Sequence, residues 1–128
     1  MKVIDILNAR DSLVKLIKVK FTDFKTTTNV YKLVKKVDAT FDMIQKEQEK
    51  IIDIYVDKDN QGNTVIQNGN YSFKSSENRD KFLQEINALR DEEVQDIEKL
   101  QIKLIDISNG PDLSAEDMLK LDPIIEWV

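Results

Sequence analysis

The chain has 128 residues, with 41% hydrophobic and 34% charged side chains and a formal net charge of −5. This length and this balance of hydrophobic and charged residues are typical of one folded domain, here residues 1–128. Such a domain can bury a core without disulfides or metal ions. The chain has no Cys and no His, which excludes disulfides, thiolate chemistry, Cys/His zinc sites and imidazole catalysis. No apolar run approaches the roughly 20 residues of a membrane span, and the N-terminus lacks the apolar segment of a signal peptide. We therefore expect a soluble, intracellular protein that does not enter a membrane.

The first segment is predicted to be a helix followed by a short strand. The apolar residues of one helical face are Ile6, Ala9, Leu13, Leu16 and Ile17. The period then changes from about 3.6 to two, because Val19 and Phe21 alternate with Lys18 and Lys20. Such alternation indicates a short strand with a basic outer face.

A long amphipathic helix is predicted to organise the chain. Its apolar stripe recurs at alternating spacings of four and three and comprises Val30, Val34, Val37, Phe41, Ile44, Gln48, Ile51 and Tyr55. This coiled-coil spacing buries one narrow stripe against another helix. The threonines at 26–28 are poor helix interior but good N-caps, so we expect the helix to begin near Thr28 and to end near Val56.

A β-hairpin is predicted after the long helix. Asn68-Gly69 separates TVIQ from NYSF, and both turn residues tolerate the positive φ of a type I′ turn. A two-residue turn places Ile66 opposite Tyr71, and it would place Thr64 opposite Phe73.

The helix after the hairpin is predicted to pack against the long amphipathic helix. Ser76 is its expected N-cap, and Phe82, Ile86 and Leu89 form the matching stripe. Because the hairpin joins the two helices, they should form an antiparallel helical hairpin. The return helix is shorter than the long stripe, which leaves self-association open.

The C-terminal part is predicted to add a strand and short helical turns. Alternating apolar positions at residues 100–107 indicate the strand, and Asn109-Gly110-Pro111 indicates a turn. Ser114 and Asp117 resemble a capping box that begins a helix through Leu121. Residues 123–127 are expected to form a last helical turn. Its side chains Ile124, Ile125 and Trp127 are expected to dock on the core, and the alternative is an exposed anchor for another chain. The predicted fold class is α+β, with an antiparallel long-helix pair, a β-hairpin and a short additional strand forming a small sheet.

Candidate chemical sites are weak. Asp57, Asp59, Gln61 and Gly62 have the spacing of an opening calcium loop, but Asn68 stands where a bidentate Glu should be. The sequence has no phosphate-binding glycine loop or hydrolase elbow. We therefore expect no metal, no cofactor and no enzymatic activity.

Two charged surfaces are the candidate binding sites. Residues 1–36 contain nine basic and three acidic side chains, and the possible phosphate contacts are Lys18, Lys20, Lys32 and Lys36. Phe21, Phe24 and Tyr31 fit either base stacking or the core. The opposing surface is an acidic face formed by Asp91, Glu92, Glu93 and Asp96.

Several segments, in this order along the chain, resemble small uncharacterised proteins of phages and prophages of low-GC Gram-positive bacteria. They are LVKLIKVKF, DKDNQGN, NGNYSFK, FLQEINALRDEEV, IKLIDI and LSAEDMLKLDPIIEWV. The resemblance covers nearly the whole chain and implies phage origin and the cytoplasm of an infected host cell. It implies no activity and no site residues.

The expected function is therefore non-enzymatic protein binding. One version is an assembly or accessory factor for virion proteins, and the other is an inhibitor that covers a basic site on a host defence protein with the acidic face. The alternative is nucleic-acid binding through the lysine-rich N-terminal third. One variant reverses the charges of the lysines and another reverses those of the acidic face. The variant that loses the phenotype identifies the functional surface.

Overall fold

The computed structural model describes residues 1–110 and 112–128, with only the backbone of Asn109. Within these residues, four α-helices and six short strands form an α+β fold, which confirms the predicted fold class. The helices are α1 (Val3–Ile17), α2 (Phe24–Tyr55), α3 (Ser76–Asp91) and α4 (Ala115–Leu121). The strands are β1 (Lys20–Phe21), β2 (Ile66–Gln67), β3 (Asn70–Tyr71), β4 (Leu100–Ile102), β5 (Ile107–Asn109) and β6 (Ile125–Trp127).

The chain divides into two compact units. Unit 1 comprises Met1–Phe41 and Glu93–Val128, and unit 2 comprises Asp42–Glu92. Helix α2 therefore contributes its first half to one unit and its second half to the other. That residues 1–128 form a single domain stays a prediction.

Helix α1 packs against α4 in unit 1. Its buried apolar side chains are Val3, Ile6, Ala9, Leu13 and Leu16. The prediction that Ile17 shares this face is wrong, because Ile17 is 56% exposed. Leu16 occupies the last buried position, and Ile17 lies about 100° farther around the helix axis.

Two two-stranded sheets complete unit 1. Strands β1 and β5 pair antiparallel, and β4 and β6 pair parallel. The prediction of one continuous strand through residues 100–107 is wrong, because a 3₁₀ turn at Leu104–Asp106 separates β4 from β5. The chain must turn there, since the two strands belong to different sheets.

The C-terminal segment is a strand and not a helical turn. Residues Ile125–Trp127 form β6 beside β4, and the side chains of Ile124 and Ile125 are fully buried. The predicted docking of the apolar terminus is thus confirmed, while its predicted secondary structure is wrong. Ile125 is the buried residue of the strand and Glu126 is exposed, while Ile124 is buried just before the strand begins.

Helix α2 begins four residues before the predicted start at Thr28. Thr27 Oγ1 donates to the Asp23 carbonyl at 3.2 Å, and Thr28 Oγ1 donates to the Phe24 carbonyl at 2.8 Å. These hydroxyls bond the preceding turn, so threonine is accommodated inside the helix. The predicted stripe and the predicted end are confirmed: the helix ends at Tyr55, and every stripe residue is buried or half-buried.

The hairpin of unit 2 has the predicted turn. Ile66 pairs with Tyr71, and Asn68 and Gly69 have φ values of 53° and 79°. The pairing of Thr64 with Phe73 is wrong, because the segment after α2 enters between the two strands. The Asp57 N–H donates to the Ser72 carbonyl, and the Asp57 carbonyl accepts from the Val65 N–H.

Helix α3 packs on α2, as predicted, and the structure places this contact at the second half of α2. Phe82 and Ile86 form a buried cluster with Val56, and the half-buried side chains packed against this cluster are Ile51, Ile52, Tyr55 and Phe73. The N-cap is Ser75 and not Ser76, because Ser75 Oγ accepts from the Asn78 N–H at 3.1 Å.

Candidate functional site

The predicted acidic face is divided between the two units. Asp91 and Glu92 end unit 2, whereas Glu93 and Asp96 lie in unit 1. All four side chains are exposed. Glu93 Oε2 lies 3.2 Å from the N-terminal amine of Met1, so one of the four carboxylates helps to anchor the N-terminus.

The four predicted lysines are all in unit 1 but border two different grooves. Lys18 and Lys20 border one that also contains Phe24, and Lys32 and Lys36 border another that also contains Glu98. All four side chains are exposed. None of them forms an ion pair within the described part of the chain.

A third groove of unit 1, of about 340 Å³, is almost entirely apolar. We call it the Tyr31 groove, and its apolar lining is formed by Ile17, Val19, Phe21, Val30, Tyr31 and Val34. Thr27 also lines it, but its hydroxyl donates to the Asp23 carbonyl. The apolar character of the groove therefore comes from the side chains of three consecutive elements.

Local sequence explains how the groove forms. Helix α1 ends at Ile17, and in the segment from there through β1 the side chains of Val19 and Phe21 are buried while those of Lys18 and Lys20 are exposed. Helix α2 then presents Val30 and Val34 from its stripe as the opposite wall.

Two residues keep the Tyr31 groove open to solvent, and sequence reasoning did not identify them together. Ile17 is 56% exposed and Tyr31 is 64% exposed. Ile17 was expected in the core, and Tyr31 was considered only for base stacking or the core. The available signal was that Tyr31 follows a stripe residue directly, so a large aromatic ring lies off the buried face.

Positive charge lies close to this groove. Lys18 and Lys20 flank Val19 in sequence, and Lys35 follows Tyr31 by one helical turn. None of the three forms an ion pair within the residues that the structure describes. The acids nearest in sequence are Asp23, which lines the same groove as Lys18 and Lys20, and Asp38, which is paired with Arg10.

Other basic residues of unit 1 are paired inside the fold. Arg10 lies 3.5 Å from Asp38 Oδ1, and its guanidinium stacks 4.2 Å from the centre of the Phe41 ring. Lys15 Nζ lies 2.9 Å from Asp117 Oδ2. The lysines near the Tyr31 groove differ from these two because none of them forms an ion pair within the described residues.

Asp117 is the most strongly perturbed carboxylate. Lys15, the backbone N–H at the Ser114 cap and the Ser12 hydroxyl hold its pKa well below the usual range. Ser12 donates to Oδ1, whereas Lys15 and Ser114 donate to Oδ2. Both carboxylate oxygens accept hydrogen bonds from this chain, so the arrangement joins α1 to α4.

The candidate calcium segment is a turn closed by its own carboxylate. Asp59 Oδ1 accepts from the N–H groups of Gln61 and Asn63, both at 2.9 Å. Among residues 1–110 and 112–128, no group of three or more carboxylates is placed to hold a metal ion. Within the same ranges, no helix has the length and apolar character needed to cross a bilayer.

Comparison with known proteins found no match. No family model, no curated protein and no solved structure matches this chain. The phage kinship implied by the sequence resemblance therefore stays a prediction, and the function has to be argued from the geometry of the molecule.

Proposed function

We propose that the protein is a non-enzymatic binding module and that it binds a protein partner at the Tyr31 groove. The observation that carries this proposal is an apolar groove whose walls expose Ile17 and Tyr31 to solvent. A contiguous exposed apolar surface costs free energy in water, and it marks interaction sites when it is bordered by polar residues. In the phage setting that the resemblance implies, the partner is a virion protein or a host protein.

The acidic face has less structural support as the binding surface. Glu93 is engaged by the N-terminal amine, and the four residues are divided two and two between the two units. The Tyr31 groove, by contrast, lies wholly within unit 1. It also offers apolar area, which drives association more strongly than exposed charge does.

Site-specific photo-crosslinking tests this proposal. A benzophenone amino acid replaces Tyr31 in the full chain, which is produced in the cells where the protein is normally made. Leu119 provides the matched control, because it is also an exposed apolar residue of unit 1 but borders a different groove with Asp5 and Asn8. We expect a discrete protein adduct from position 31 and none from position 119. Equal adducts from both positions, or none from position 31, would contradict a binding site at the groove.

Nucleic-acid binding through the lysines is the second candidate. The observation in its favour is that Lys18, Lys20, Lys32 and Lys36 are exposed and without ion pairs in the described chain. If they contact phosphates, affinity for single-stranded DNA should fall steeply with salt concentration, and changing all four to Glu should abolish it. Lys46 and Lys74 of unit 2, also exposed, are the control pair for the same change. Equal loss in both variants would contradict a specific site.

A further inference from the structure

The chemistry of the groove restricts what it can hold, and this inference rests on the proposed function. We infer that the occupant of the Tyr31 groove is an acidic polypeptide segment that inserts one or two large apolar side chains. The argument uses the size of the groove, the chemistry of its lining and the charges near it.

Size favours a few side chains as the inserted part. The groove encloses about 340 Å³, which is at the lower end of the roughly 300–1,000 Å³ typical of ligand pockets. Val19 and Phe21 form buried parts of the lining, and Ile17 and Tyr31 form exposed parts. An apolar anchor from a partner would therefore contact both kinds of surface and remove water from the exposed side chains.

The lining favours a polypeptide over a nucleic acid. Its side chains are mainly branched aliphatics, and the stacking platforms that bind bases are built from aromatic rings and arginine. Lys18, Lys20 and Lys35 are the basic residues near the groove, so the planar arginine contacts that are common at specific phosphate and base sites are missing from this set.

Charge favours an acidic partner. Lys18, Lys20 and Lys35 are exposed and form no ion pair within the described ranges. Asp23, in the adjoining groove, opposes them with one negative charge. A partner with carboxylates beside its apolar anchor would place them near the lysines, which increases the association rate and fixes orientation.

Tyr31 adds a polar contact at the mouth of the groove. Its hydroxyl has no hydrogen-bond partner among the described residues, and its ring is part of the apolar lining. Exposed tyrosines of this kind are common at protein interfaces, because one end is apolar and the other forms hydrogen bonds.

Selection from a random peptide-display library tests the inference with the full-length protein as bait. Three variants are compared with it: Tyr31→Ser, Ile17→Ser and the double charge reversal Lys18→Glu with Lys20→Glu. Leu119→Ser is the matched control outside the groove. Circular dichroism establishes that each variant is folded, and the two single serine variants act as independent probes of the groove. Selected peptides are then titrated by fluorescence anisotropy at two salt concentrations.

We expect selected peptides with one or two Phe, Leu, Ile or Trp residues beside several Asp or Glu residues. Each groove variant should weaken their binding about tenfold or more, and the charge reversal should also reduce the salt dependence. Leu119→Ser should bind as the unchanged protein does.

Other outcomes separate the two proposals. Peptides that need Tyr31 or Ile17 but carry no excess of acids would overturn the acidic occupant and leave protein binding at the groove in place. Peptides that are unaffected by all groove variants would overturn both. Binding of phosphatidylglycerol vesicles or of oligo(dT), lost in the groove variants and without any selected peptide, would overturn the polypeptide occupant and assign the surface to lipid or nucleic acid.

Discussion

Single residues of unit 1 show how local and tertiary roles combine in one side chain. Asp117 closes the capping box of α4, because its carboxylate accepts from the Ser114 N–H at 3.0 Å. The same carboxylate is buried against α1, where it accepts from Ser12 at 2.8 Å and from Lys15 at 2.9 Å. The capping role is predictable from the sequence. The contact with α1 is not, because it joins residues more than 100 positions apart.

Asp117 should make stability depend on pH in the acid range. Its hydrogen bonds to Lys15, Ser114 and Ser12 lower its pKa in the folded state, so the unfolded chain binds its proton at a higher pH. The stabilisation is therefore present above about pH 5, and it is lost as the pH falls through the ordinary value of about 3.9 toward the folded-state pKa. Chemical denaturation at a series of pH values from 7 to 2 measures this loss as a decrease in the free energy of unfolding.

The control for this prediction is a pair of amide substitutions. Asp117→Asn should lower stability at pH 7 and flatten the acid part of the profile, because no carboxylate remains to titrate at that position. Asp122→Asn, at an exposed position just after α4, should change both much less. An acid profile of Asp117→Asn parallel to that of the unchanged protein would contradict the role of this carboxylate.

Gly110 should tolerate no side chain. Its φ is +138°, and a Cβ there would lie 2.7 Å from the Val19 Cα and 2.9 Å from the Lys18 carbonyl oxygen. Since these are backbone atoms, the clash cannot be relieved by a change of rotamer, and we expect Gly110→Ala to destabilise by about 2–3 kcal/mol. Gly62, with φ +80° and nothing within 4 Å of the same position, is the control, and Gly62→Ala should cost about 1 kcal/mol. Equal losses in urea denaturation would contradict this prediction.

At the scale of elements, helix α2 serves two cores with one stripe. Val30, Val34 and Val37 are buried in its unit 1 half, whereas Ile51 and Tyr55 pack on the Phe82 cluster in its unit 2 half. The period of the stripe predicted that partners must exist on this face. It could not tell that α3 would cover only the second half, because every buried position of an amphipathic helix looks the same in sequence.

The start of α3 provides an element-scale prediction. Ser75 Oγ accepts from the Asn78 N–H, which satisfies one of the unpaired donors of the first turn, so Ser75→Ala should destabilise by about 1 kcal/mol. Ser76→Ala is the matched control, because Ser76 is the first helical residue and not the cap. Its change should be a few tenths of a kcal/mol. Urea denaturation separates the two, and a larger loss for Ser76→Ala would contradict the assignment.

At the scale of the whole molecule, the chain divides into two compact units, and the cluster around Phe82 lies in unit 2. Phe82→Ala should cost about 3 kcal/mol by leaving a cavity in unit 2. Leu83→Ala is the control, since Leu83 is adjacent on α3 and 44% exposed. Hydrogen exchange should show faster exchange in residues 42–92 than in unit 1 for Phe82→Ala. Equal loss of protection throughout would contradict this prediction and show that the two units unfold together.

The sequence by itself determined the features that depend on near neighbours. The periods of α1, α2 and α3, the Asn68-Gly69 turn and the Ser114 cap were all predictable, because hydrophobic period, turn chemistry and capping act over a few residues. The start of α2 differs from the prediction for a local reason, because the Thr27 and Thr28 hydroxyls donate to the Asp23 and Phe24 carbonyls and are accommodated inside the helix.

Only the tertiary structure decided which segments meet. The β4–β6 pairing, the break of residues 100–107 into two strands and the exposure of Ile17 and Tyr31 all follow from contacts between distant parts of the chain. The Tyr31 groove has the same origin. Its lining comes from α1, β1 and α2 together, and no single one of these elements forms a groove. An apolar side chain has the same hydrophobicity whether or not another segment covers it, so its exposure is set by the packing of the whole fold.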